Sequence, residues 1–88
     1  MEEVEAENNL VKIENVLFEY IERKNYKDIQ KVISFIDPEP TVKIDLAKTS
    51  ERSIEEFETE LKNILASYDS ITPKNFKFRM QIEKVDNV

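Results

Sequence analysis

The first third of the chain carries apolar residues at the spacing of an amphipathic helix. Leu10, Ile13 and Leu17 lie three or four positions apart, and Tyr20 and Ile21 continue the series. Charged residues fill most of the intervening positions, as they do on the exposed side of a helix. The pattern predicts a helix with one buried side in this part of the chain.

The next group of apolar residues predicts a second helix, over residues 26–36. The segment 37–40, Asp-Pro-Glu-Pro, would end this helix because proline cannot continue one. The two helices together predict a helical hairpin over residues 9–36. The apolar residues that would share one side of the second helix are Ile29, Val32, Ile33 and Ile36.

Two later segments alternate between apolar and polar residues, which is the period of a half-buried strand. Residues 41–46 place Val42, Ile44 and Leu46 on one face. Residues 75–84 alternate in the same way, so their aromatic residues are predicted to pack in the core while their cations face water. The apolar face is Phe76, Phe78, Met80 and Ile82, and the opposite face is Lys77, Arg79, Gln81 and Glu83.

A third helix is predicted between the two strands. Ser53 and Glu56 have the spacing of a capping box at its start, and Pro73 lies beyond its end. Its apolar residues recur over four turns, which makes this the most regular pattern in the chain. They are Ile54, Phe57, Leu61, Ile64, Leu65 and Tyr68.

These elements predict an α+β fold in a single small domain. The acidic segment 1–8 is expected to fray, and the domain is expected to span residues 9–88. Within it, the helical hairpin of residues 9–36 precedes a strand, helix, strand unit over residues 41–85. The connection between the two strands is long enough for a right-handed parallel crossover.

Two strands leave the predicted sheet incomplete, because both outer edges carry unpaired backbone groups and a two-stranded sheet has little stability of its own. Three completions fit the sequence. The chain forms a homodimer with a joined sheet, a protein partner supplies a strand, or the last residues fold back as an additional short strand.

Residues 13–36 also carry a spacing of apolar residues and tyrosines that is found in a known motif. The matching positions are Ile13, Val16, Leu17, Tyr20, Ile21, Tyr26, Ile29 and Ile33. In this spacing the segment resembles the LisH motif, a short helical hairpin that dimerises in many eukaryotic adaptor proteins. It departs from the motif at Asn25, where the motif has glycine, and at Ile29, which is bulkier than the usual alanine.

The resemblance implies dimerisation through this hairpin and a scaffolding or adaptor role. The residues that would form the dimer contact are Ile13, Leu17, Tyr20, Tyr26 and Ile33. The apolar periodicity predicts that these residues are buried whether or not the hairpin dimerises. Asparagine at position 25 remains compatible with the motif because it tolerates the left-handed backbone conformation.

Composition excludes most site chemistry. The chain has no glycine, histidine, cysteine or tryptophan among its 88 residues. It therefore lacks glycine-rich phosphate loops, thiolates and the usual ligands of zinc. Asp37, Glu39 and Asp45 are the carboxylates that could bind Mg²⁺. Asp37 and Glu39 are instead expected as residues of a proline turn, and Asp45 as an outward-facing residue of a strand. No catalytic, cofactor or metal site is predicted, and the chain is expected not to be an enzyme.

Charge offers two candidate interaction surfaces on a chain with a net charge of -6. Glu51, Glu55 and Glu58 present negative charge along the third helix to a basic protein partner. Lys77 and Arg79 form a basic strip on the last strand, where nucleic acid would bind. The overall acidity makes nucleic acid the weaker partner, since its non-specific affinity comes from positive charge.

The sequence therefore predicts a non-catalytic protein–protein interaction module that self-associates and has a regulatory or adaptor role. The alternative is a small acidic inhibitor, antitoxin or immunity-type protein that covers a basic partner surface. Nucleic-acid association through the last strand is a third possibility. A cytoplasmic location is expected, because the acidic start differs from a targeting peptide and no apolar run approaches the length of a membrane span.

Overall fold

A computed structural model describes residues 3–68, 72–73 and 76–86. Two helices and three strands follow one another along the chain. They pack as one three-stranded sheet with helices, which confirms the predicted α+β class. In order, the elements are α1 (Glu3–Lys24), β1 (Ile29–Phe35), β2 (Thr41–Ala47), α2 (Ile54–Ala66) and β3 (Arg79–Val85).

The central strand of the sheet is β2, in the order β1-β2-β3. It pairs with β3 in parallel, as predicted for the strand, helix, strand unit, and with β1 in an antiparallel hairpin. The chain therefore completes one side of its own sheet, and the predicted need for a foreign strand there is removed. The additional strand considered for the last residues would involve residues 87–88, outside the described residues.

Both helices pack on the same face of the sheet. This face presents Val42, Ile44 and Leu46, none of which retains any exposed surface. Helix α1 contacts β1, β2 and α2, while α2 also contacts β3. Each fully buried aliphatic side chain of this kind contributes about 1.5 to 3 kcal/mol. Within the described part of the chain, no helix is long and apolar enough to cross a membrane.

The predicted second helix is wrong, because residues 29–35 form the edge strand β1. The apolar residues Ile29, Val32 and Ile33 are all β-branched, and such residues favour a pleated strand over a helix. The antiparallel pairing with β1 also gives hydrogen-bond partners to backbone groups of β2. A helical hairpin in place of β1 would have left those groups unpaired.

A β-bulge explains why β1 has helical spacing in the sequence. The register shifts between Ile29 and Lys31, so that Ile29 lies opposite Leu46 while Val32 lies opposite Ile44. An extra residue in a strand breaks its period of two. Ile29 and Val32 consequently share the helix-covered face although they are three positions apart, which is the spacing that indicated a helix.

Helix α1 begins earlier than the sequence predicted. Residues 3–8 are helical rather than frayed, and residues 1–2 lie outside the described part of the chain. Acidic residues near a helix N-terminus interact favourably with the helix dipole. Ala6 is buried in the core, with 6% of its surface exposed, so the first turns are also held by packing.

Helix α1 ends at Lys24 in a Schellman motif centred on Asn25. This residue has a positive φ of 58°. It therefore adopts the left-handed conformation that asparagine was predicted to tolerate at this position. Its N–H donates to the Glu22 carbonyl at 3.0 Å, and the N–H of Tyr26 donates to the Ile21 carbonyl at 3.2 Å. The turn directs the chain into β1 instead of into a second helix.

The start of α2 agrees with the sequence. The Ser53 side chain accepts a hydrogen bond from the N–H of Glu56 at 3.3 Å, which is the expected N-cap contact. Phe57 and Leu61 are buried, with exposed fractions of 1% and 0%. The helix ends at Ala66, before Tyr68, and residues 69–70, which follow the predicted helix, lie outside the described residues.

Candidate interaction surface

An exposed apolar stripe runs along α1 on the side that leaves the core. Val4, Val11 and Phe18 remain 64%, 49% and 43% exposed. They are spaced seven positions apart, and two helical turns bring residues at this spacing onto nearly one line. A row of three large apolar side chains on one line differs from the scattered single residues that any surface carries.

The stripe borders a groove between α1 and β1. At one end, Leu10 and Val11 line a cavity of about 440 Å³ together with residues 34–37. At the other end, Phe18 and Ile21 line a cavity of about 190 Å³ with residues 29–32. These lining residues show that α1 runs antiparallel to β1 along the same side of the molecule.

The outer edge of β1 lies beneath this groove. Since β1 pairs only with β2 among the described strands, its other side offers unpaired N–H and C=O groups. The stretch from Lys31 to Phe35 keeps a regular register, and the bulge interrupts it on the N-terminal side. We call the stripe of Val4, Val11 and Phe18 together with the edge of Lys31–Phe35 the lateral surface.

The residues predicted for dimerisation lie mostly elsewhere. Ile13, Leu17 and Tyr20 are buried in the core of this chain, at 2%, 0% and 6% exposure, so they are already covered. Tyr26 is half-buried and packs against the same core. Ile33 is the exception, because it lies on the edge strand opposite Lys43 and is half-buried on the face that the helices leave open.

The predicted acidic surface is divided by local contacts. Glu51 precedes α2 and Glu55 lies in its first turn, and both are exposed. Glu58 accepts a hydrogen bond from Lys62 at 3.0 Å, which neutralises its charge one turn further along. Glu60, on the same helix, is occupied by two tyrosine hydroxyls. The acids of α2 therefore do not form one continuous negative face.

The predicted basic strip is also interrupted. Lys77 is exposed but precedes β3, and Arg79 lies 3.7 Å from the Glu39 carboxylate. The aromatic residues of this segment behave as predicted for core residues. Phe76 is buried, and its ring stacks on that of Phe78 at a centroid distance of 6.1 Å. They are therefore not free to stack on bases.

The open face of the sheet carries a mixed charge. Lys43 Nζ lies 2.9 Å from a Glu83 oxygen and 3.5 Å from Asp45 Oδ1. The Glu83 carboxylate raises the pKa of Lys43, with Asp45 adding to the effect. Asp45 Oδ1 accepts no hydrogen bond from any described residue, so its contact with Lys43 is electrostatic only. This face consequently offers no uniform charge to nucleic acid.

A polar cluster joins the end of α1 to α2. The hydroxyls of Tyr20 and Tyr26 both donate to Glu60 Oε2, at 2.5 Å and 2.6 Å. The two rings meet edge to face at 6.2 Å. Burial and the hydrogen bond to Glu60 raise the pKa of Tyr20. The negative charge of Glu60 is thereby held by two neutral hydroxyl donors.

The same cluster continues through Arg52 and Asp28. The guanidinium donates to both Asp28 oxygens, at 2.8 Å and 3.0 Å, and the Ser50 hydroxyl donates to Oδ2 at 2.6 Å. Arg52 also lies over the Tyr26 ring at 4.0 Å and over the Phe57 ring at 4.8 Å. Its hydrogen bonds lower the pKa of Asp28 to about 2.

Every polar member of this cluster has a partner in an element distant in sequence, so we interpret the cluster as structural. Its hydrogen-bonded groups connect the loop before β1, the loop after β2 and helix α2 to one another. Within the described ranges, no group of three or more His, Cys, Asp or Glu side chains is arranged to hold a metal ion.

The sequence alone predicted neither the apolar stripe on α1 nor the polar cluster. The stripe had a visible signal, because Val4, Val11 and Phe18 repeat every seven residues, but the buried apolar series beside it is stronger. The polar cluster had no such signal, since its hydrogen bonds join Glu60 to tyrosines 34 and 40 positions away.

Comparison with known proteins gives no match to a family model, a curated protein or a solved structure.

Proposed function

We propose that this chain is a non-catalytic protein-binding module that acts through the lateral surface. One observation supports this proposal above the others. An unpaired strand edge and a row of exposed apolar side chains lie on the same side of the molecule, one layer above the other. Binding without catalysis corresponds to a regulatory or adaptor role.

The two halves of the lateral surface call for a polypeptide partner. A strand edge is satisfied by another strand, whose main chain supplies alternating donors and acceptors. The stripe from Val4 to Phe18 spans 15 residues, or about 21 Å along the helix axis. A small molecule would cover only part of that length and would leave the strand edge unpaired.

Site-specific photo-cross-linking tests the proposal. A photoreactive phenylalanine analogue replaces Phe18 in one variant and Tyr68 in a matched control, since both are exposed aromatic residues of similar exposure, 43% and 38%. After irradiation in cells that express the chain, we expect covalent protein adducts from position 18 and few from position 68.

The adducts should disappear when Ser34→Pro is added to the position 18 variant, because proline removes a donor from the strand edge. Circular dichroism and thermal unfolding of the purified variants verify that each is folded. Equal adduct yields at the two positions, or none at position 18, would refute binding through the lateral surface.

A further inference from the structure

We propose that the occupant of the lateral surface is a second copy of this chain, and this inference rests on the proposed function. Strand β1 pairs with β1 of the second copy in antiparallel orientation, around a two-fold axis at Ile33. The two three-stranded sheets then form one six-stranded sheet. The two α1 helices lie side by side on its covered face.

The strand edge places the axis. The regular part of β1 runs from Lys31 to Phe35, because the bulge shifts the register before it. Ile33 is the middle residue of this stretch. Antiparallel pairing centred there uses the whole regular edge and sets Ile33 opposite its own copy, Lys31 opposite Phe35 and Val32 opposite Ser34. Directly opposed residues have Cβ atoms about 4.5 to 5.5 Å apart.

The helix stripe is compatible with the same axis. Two of its three residues, Val11 and Phe18, lie on either side of the point between residues 14 and 15 of α1. In the groove, residues 10–11 lie beside residues 34–37, and Phe18 and Ile21 lie beside residues 29–32. The point between residues 14 and 15 therefore lies beside Ile33. One axis therefore brings Val11 of each copy against Phe18 of the other.

This agreement is what a two-fold interface requires. Such an interface uses the same patch on both copies, so contacts must occur in reciprocal pairs around one axis. The strand edge and the pair of Val11 and Phe18 both meet this requirement around the axis at Ile33, whereas Val4 lies outside the pair. This reciprocity supports a second copy over a different polypeptide.

The available area fits a stable dimer of ordinary size. Helix α1 is about 33 Å long at 1.5 Å per residue. The smallest extent of the molecule is 19 Å. A side of these two dimensions presents roughly 600 Å², the lower end of the ~600 to 1,000 Å² per partner that standard interfaces bury.

The charges around the stripe give the dimer a characteristic salt dependence. Glu7 and Glu22 are exposed beside the stripe, and the axis that pairs Val11 with Phe18 also brings Glu7 of one copy opposite Glu22 of the other. Each copy has a net charge of -6. Added salt screens this repulsion, so the dimer is expected to strengthen as ionic strength rises. A basic partner would bind more weakly under the same change.

A single engineered cysteine tests the axis directly, since the natural chain contains no cysteine. In the purified Ile33→Cys variant, the two thiols face each other across the axis at a distance suited to a disulfide. Mild oxidation should convert most of this variant to a covalent dimer. Lys31→Cys is the matched control on the same face of the same strand, and it should react at least about tenfold more slowly.

A second pair of variants tests the helix contact. Adding Phe18→Glu to Ile33→Cys should slow disulfide formation at least about tenfold, whereas adding Tyr68→Glu should leave it unchanged. Both substitutions replace an exposed aromatic residue by the same charge. Circular dichroism establishes that all four variants fold. Equal oxidation rates for the Ile33→Cys and Lys31→Cys variants, or no effect of Phe18→Glu, would overturn the second-copy proposal.

The two proposals fail in different ways. If position 18 cross-links only to other proteins and the Ile33→Cys variant oxidises no faster than its control, the second copy is refuted and protein binding stands. If position 18 gives no adducts at all, the lateral surface is refuted as a binding site, and the dimer with it.

Discussion

At the scale of single residues, the contacts that decide this structure join side chains far apart in the sequence. Arg52 is the clearest case, because one guanidinium pairs with Asp28 and also lies over the rings of Tyr26 and Phe57. Hydrogen bonds of this charge-assisted, two-pronged type are stronger than neutral ones. Lysine would keep the charge but lose the planar geometry that allows both contacts.

Asp28 should make stability depend on pH in acid. Its pKa is about 2 in the folded chain, against an ordinary value of 3.8. The folded state therefore favours the carboxylate, and this contribution of about 2 kcal/mol is present above pH 4 and is lost as the pH falls towards 2. Urea unfolding of the wild-type chain at several pH values measures it.

The Asp28→Asn variant provides the comparison. It should be less stable than the wild type near pH 7, and its free energy of unfolding should change less between pH 4 and pH 2, where the Asp28 contribution disappears. A variant that loses stability in parallel with the wild type over this interval would show that Asp28 is not the group responsible.

At the scale of elements, the sequence predicted the helices and strands whose own residues follow a regular apolar period. The first helix, β2, α2 and β3 each have a regular apolar period, and the structure has each of them, although residues 76–78 of the predicted last strand precede β3 and are not part of it. Strand β1 was missed because its bulge gives residues 29 and 32 a helical spacing. The bulge depends on pairing with β2, which no local pattern reveals. The lateral surface was missed for the same reason, since half of it is the edge of that strand.

The turn after α1 gives a prediction at this scale. Asn25 has the left-handed conformation that ends the helix, with a φ of 58°. Asn25→Ala should lower the free energy of unfolding by about 1 kcal/mol, because alanine lacks the short polar side chain that makes this conformation tolerable for asparagine. Asn25→Gly should keep or raise stability, since glycine suits this position. Chemical denaturation compares them, and equal losses in both variants would contradict the assignment of the motif.

At the scale of the whole molecule, the chain presents two different sides. The open face of the sheet carries mixed charges that bond one another, as between Lys43 and Glu83. The lateral surface instead carries exposed apolar residues over an open strand edge. A small domain buries a limited fraction of its surface, so pairing two copies along this side would enlarge a thin core. We therefore expect two copies of the chain to pair through the lateral surface.

Sedimentation equilibrium of the purified wild-type chain, over a wide range of concentrations at low and high salt, tests this claim most directly. We expect a reversible dimer of twice the 10.4 kDa chain mass, with a dissociation constant that falls as salt is added. Phe18→Glu should shift the equilibrium to monomer, and Tyr68→Glu should not. A wild-type chain that remains monomeric at every concentration and salt level would show that the lateral surface does not bind a second copy.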